Sequence, residues 1–147
     1  METIAVFVND AAHARHVLEP LLEGGRPTRW IVVACAPKLT RHIGRWVSNA
    51  ARAQWRERWA SELYAALESE LAADGSRVEK MLARRPLVEV SARLQSREAG
   101  VRLLDARAPR WGHPDEPITV AQPAEQSRWV APLAVTTGLS AMLALVD

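Results

Sequence analysis

At 147 residues and 48% apolar side chains, the chain has material for one domain with its own core and lacks the composition of a disordered segment. A formal charge of +2 demands no polyanionic partner, although all but Lys38 and Lys80 of the 19 basic side chains are arginine, the residue suited to forked contacts with carboxylate or phosphate. One cysteine, Cys35, excludes an intramolecular disulfide and a cysteine-based zinc site, and fits a cytoplasmic location.

Ile4-Ala-Val-Phe-Val8 is a short apolar run of the kind found in a strand buried on both faces. Glu2 precedes it and no basic segment does, so the N-terminus reads as a strand rather than a secretory signal. Asn9 or Asp10 caps a helix over residues 11–23, which Pro20 is expected to kink or split and Gly24-Gly25 to end. Residues 30–35 form a second strand, closed by Pro37. A long amphipathic helix follows over residues 39–73. Its apolar face takes in Ile43, Trp46, Ala50, Ala53, Ala60, Tyr64, Leu67 and Leu71, and Asp74-Gly75 ends it.

Residues 78–82 supply a strand of poor periodicity. Pro86 opens the next helix at its first turn, Leu87, Val88, Val90 and Leu94 form its apolar side, and Gly100 stops it. Residues 101–104 are a fourth strand and residues 117–121 a fifth. Residues 129–146 are apolar but contain Pro132, Thr136, Thr137 and Gly138. They are expected to begin irregularly and to end in a packed helix near residues 139–146, not to cross a membrane.

Strands alternating with helices imply a single doubly wound α/β domain: a mostly parallel five-stranded sheet with helices on both faces over residues 1–126, and a C-terminal apolar helical arm over residues 127–147. This order, with a buried first strand running into Val8-Asn9-Asp10, resembles the universal stress protein family over roughly residues 3–121. The resemblance implies a flavodoxin-like or Rossmann-like fold and a homodimer that takes part in a stress response. It also implies either an ATP-binding or a non-binding member. In the family an aspartate beside the nucleotide base follows the first strand; Asn9 stands at that place, with Asp10 one position on. ATP-binding members follow the fourth strand with Gly-x-x-Gly and a later Gly-Ser or Gly-Thr. Here the stretch is Asp105-Ala-Arg-Ala-Pro-Arg-Trp-Gly-His-Pro, whose one glycine, Gly112, makes no phosphate cradle.

In an open parallel sheet, ligands bind beyond the carboxyl ends of the strands. Asn9, Asp10, Arg84, Arg85, Asp105, Arg107 and Arg110 fall there and form a candidate site for a small anion, or a set of loop-fastening ion pairs. On the long helix, Arg41, Arg45, Arg52 and Arg56 share a strip with Trp59. With Trp55, Trp129, Leu139 and Met142, the residues Arg52, Arg56 and Trp59 are candidates for a dimer interface; a solvated flank and nucleic-acid binding are the other readings of the strip. Of the four histidines, His13, His16, His42 and His113, none has metal-ligand spacing with further ligands. No serine has an assignable base, and Cys35 reads as a small buried apolar residue. The leading expectation is a non-catalytic, stress-protein-like binding protein, without cofactor or metal, that takes a protein partner or a small anion. The alternative is a nucleotide- or phosphate-binding protein or enzyme that uses the arginine-rich rim.

Overall fold

The structure is a computed structural model and describes residues 1–38, 46–109, 116–120 and 129–130. Four parallel strands form the sheet: β1 (Glu2–Val8), β2 (Thr28–Ala34), β3 (Arg77–Leu82) and β4 (Arg102–Asp105). Their order is β3-β2-β1-β4, and a two-residue segment, β5 (Trp129–Val130), pairs antiparallel with the outer edge of β4. A flavodoxin-type sheet would place the third strand on the other side of the first. Here β3 lies outside β2, and β4 takes that place.

Alternating strand residues divide the core in two, as the period of two requires. Ile4, Val6, Val8, Trp30, Val32, Ala34 and Leu104 face helices α1 (Ala11–Leu22) and α2 (Asn49–Leu71). Ala5, Phe7, Ile31, Val33 and Leu103 face helix α3 (Leu87–Arg97). Because β1 and β2 are buried on both faces, their sequences read as unbroken apolar runs. Edge strand β3 has no fully buried residue, and this is the physical reason for its poor periodicity.

Asp10 caps α1, its carboxylate accepting the His13 N–H at 2.9 Å. Pro20 does not split the helix: it lies exposed in the last turn, and α1 continues to Leu22. Helix α2 starts at Asn49, ten residues later than the amphipathic pattern suggested, because the Ser48 hydroxyl accepts the Ala51 N–H at 3.1 Å and sets the N-terminus. Trp46 therefore precedes the helix and is 81% exposed, while residues 39–45 lie outside the described segments. Ala50 and Ala53 are exposed too. The helix meets the core from Trp59 onward, through the buried Ala60, Leu63, Leu67 and Leu71, with Trp59 and Tyr64 half-buried against them. Asp74 and Gly75, both at positive φ, reverse the chain into β3. Pro86 takes the cap position of α3, one place before the expected first turn.

The expected parallel strand over residues 117–121 is not formed by its described residues, 117–120. Pro117 has no N–H for a ladder, Ile118 and Thr119 turn inward, and Val120 is 76% exposed. Trp129–Val130 occupies the edge of β4 instead. The C-terminal helix expected near residues 139–146 lies outside the described residues. Among the described residues no helix is long and apolar enough to cross a membrane.

Candidate functional site

The chain leaves β1 toward β2 on one side and returns by way of α3 to β4 on the other. The carboxyl ends of β1 and β4 therefore flank the point where a sheet of this kind opens a crevice. Backbone pairing runs past each strand end here: Ala106 N–H donates to Phe7 C=O at 2.9 Å, Cys35 N–H to Val8 C=O at 2.8 Å, and Ala83 N–H to Ala34 C=O at 2.9 Å. The Asn9 carboxamide then acts as a false strand residue. Its Oδ1 accepts the Ala108 N–H at 2.7 Å, and its Nδ2 donates to the Ala108 C=O at 3.1 Å.

Arg107 folds back on Asp105. Its Nε and Nη2 donate to the two carboxylate oxygens at 2.9 and 3.0 Å, and its backbone N–H donates to Oδ1 at 3.2 Å. The Arg107 side chain is 6% exposed and that of Asp105 16%, so the pair is an internal fork. Beside it, burial pushes the Cys35 thiol up to about 12; Arg107 opposes that rise, and Asp105 and Glu116 add to it. A thiol held protonated in this way is no nucleophile near neutral pH. Glu116 comes from the stretch after β4 and accepts the Leu87 N–H at 3.2 Å, supplying the side-chain cap that Pro86 cannot.

Of the anion-site candidates, the structure thus brings Asn9, Asp105 and Arg107 together and sets the others apart. Asp10 caps α1, Arg84 donates to Glu57 at 2.8 Å, and Arg85 lies 4.0 Å from Glu89. Arg110 is outside the described residues.

Arg84 and Arg85 belong to a different concavity, a groove of about 410 Å³ between edge strand β3 and helix α3. Met81, Leu82, Val90 and Leu94 give it apolar walls, and Arg84, Arg85, Arg93 and Arg97 ring it. Arg93 and Arg97 escaped the sequence reading. The signal was present, because Arg93 and Arg97 stand four residues apart and so share one side of α3, with Arg84 and Arg85 just before its cap. Arg97 donates to Glu79 at 3.0 Å, and Arg29 donates to Glu79 at 2.8 Å and to Glu98 at 2.6 Å, so acids and bases balance at that end. Among the described residues Arg93 makes no ion pair.

On α2, Arg52, Trp55 and Arg56 are partly exposed, whereas Trp59 packs against the core. Trp129 is 5% exposed within this chain, with the Arg102 guanidinium stacked 3.8 Å from its ring centroid. Leu139 and Met142 lie outside the described residues, as do His42 and His113. No metal-ligating group of three or more His, Cys, Asp or Glu side chains occurs among the described residues. No protein-family model, curated protein or solved structure matches the chain.

Proposed function

We propose that this is a non-catalytic, universal-stress-protein-like binding protein with a Rossmann-like, doubly wound sheet, and that it takes a small anionic ligand in the β3–α3 groove. The observation that carries the reading is the ring of four arginines around apolar walls. A concavity of this size suits a small molecule, and guanidinium forks suit carboxylate or phosphate. The strand order and the strand–helix alternation support the family reading. The self-satisfied Asn9–Ala108 and Asp105–Arg107 contacts favour the groove over the strand-end crevice as the place for the anion.

A thermal-shift screen over carboxylates, phosphates and nucleotides tests this, since a ligand that binds only the folded state raises the melting temperature by mass action. Several anions should raise it in the native protein and not in an Arg85→Ala/Arg93→Ala variant. A panel without effect, or an equal effect on that variant, refutes the groove as an anion site.

A further inference from the structure

Among the described residues no strand lies outside β3, which ends the sheet order and pairs with β2 alone. The ladder shows which of its peptide groups are spare. Ala83 N–H donates to Ala34 C=O, so the odd-numbered residues of β3 turn their backbone groups toward β2, and Val78, Lys80 and Leu82 turn theirs outward. Side chains alternate as well. Val78, Lys80 and Leu82 lie on the α2 side, where Lys80 donates to Glu68 at 3.1 Å, while Arg77, Glu79 and Met81 lie on the α3 side.

The groove opens on this same edge. Its walls come from β3, the turn after it and α3, and from no inner strand, because Ile31 and Val33 of β2 are already buried against α3. Its described lining holds four arginines and no acid. A strand laid about 5 Å outside β3 would meet the spare backbone groups and carry every second side chain on the groove side. A second copy of β3 fits that place poorly. Residues opposite one another in an antiparallel pair share a face, so a two-fold pairing that uses five of the six β3 residues centres on Glu79 or on Lys80 and sets like charges directly together.

On the reading that the groove takes an anion, we infer that this anion is a side-chain carboxylate, carried on an extended acidic segment of a protein partner that adds to β3 as a further strand. Main-chain bonds to Val78, Lys80 and Leu82 hold the segment, and the arginines select acidic residues at alternate positions. Arg93, exposed and without an ion pair among the described residues, gains most from such a carboxylate.

Calorimetric titration of the full chain tests this with a blocked heptapeptide of alternating threonine and glutamate, its threonine–lysine counterpart, and glutarate. The glutamate peptide should bind one to one, and the lysine peptide and glutarate at least about tenfold more weakly. Arg93→Ala should weaken the glutamate peptide by a similar factor. Two further peptides, N-methylated at the threonines or at the glutamates, probe the backbone. With glutamates on the groove side, the threonines direct their N–H groups to β3 in an antiparallel addition and the glutamates do so in a parallel one. One methylated form should therefore bind at least about tenfold more weakly than the other. Equal affinity of the two would overturn strand addition. Glutarate that binds as tightly as the glutamate peptide, and is lost in Arg93→Ala, would overturn it too while leaving the anion site standing. Failure of every probe would remove both. A disulfide-linked dimer formed through Lys80→Cys without peptide would give the edge to a second copy and overturn the proposal.

Discussion

At the scale of single residues, the strand-end contacts explain why asparagine stands at position 9. The Ala108 peptide presents a donor and an acceptor together, and a carboxamide answers both, whereas an aspartate would answer only the N–H and set its charge against the carbonyl. The Asp105–Arg107 fork has a different energetic character. Removing one member strands a largely buried charge, while removing both removes the desolvation cost with it. Arg107→Ala should therefore destabilise the fold by about 3 kcal/mol, and the Asp105→Ala/Arg107→Ala double variant should lose less than the single one. Urea unfolding of the four-member cycle measures this; a double variant weaker than the single would mean the fork is not the reason for the loss. Asn9, Asp105 and Arg107 were legible in the sequence because apolar runs mark where strands stop. Arg93 and Arg97 were not, because a helix read for its apolar stripe hides what its polar side faces. Whether an arginine is spent on a neighbouring acid is decided by packing, as the contrast between Arg97 and Arg93 shows.

At the scale of elements, β1, β2 and β4 were readable because burial on both faces leaves an apolar run, and α3 because its apolar residues keep helical spacing. The long helix was over-extended because alanine fits either side of a helix, so Ala50 and Ala53 looked like face positions although nothing packs on them. The fifth strand was misplaced because Ile118-Thr119-Val120 has strand-forming side chains, yet Pro117 lacks a donor and Glu116 is committed to α3. The described residues of the true edge segment are Trp129 and Val130, and two positions carry no periodic signal. Its hold is the Trp129 ring, buried on the α1–α2 side of the sheet beneath Arg102. Trp129→Ala should cost about 3 kcal/mol, seen as a lower urea midpoint with little change in slope, whereas Trp129→Phe should retain most of the stability. An alanine variant as stable as the parent would show that the edge segment contributes nothing to the sheet.

For the whole molecule, Cys35 and Tyr64 link the fold to alkaline pH. Burial raises the Cys35 thiol from 9.0 to about 12 and the Tyr64 hydroxyl from 10.0 to about 12. The unfolded chain releases these protons first, so the folded state holds more protons than the unfolded state between the two limits and loses stability as pH rises. The urea midpoint should be insensitive to these groups below pH 9, then fall from there toward pH 12, with Cys35→Ala making the decline shallower. An unchanged slope in that variant would show that the thiol is not the linked group.

The position of β1 has a consequence for the life of the nascent chain. Its partners are β2 on one side and, on the other, a strand that is made last of the four; the Arg102–Glu2 and Ala108–Asn9 contacts join residues 100 and 99 positions apart. Until residue 105 has left the ribosome, one edge of a strand that ends up buried on both faces has no permanent neighbour and can template pairing with another chain. The hazard for this protein is thus an interval rather than a surface: it opens when β1 emerges and closes when β4 docks. Translation speed through the intervening helices, more than the stability of the finished sheet, sets how long that interval lasts.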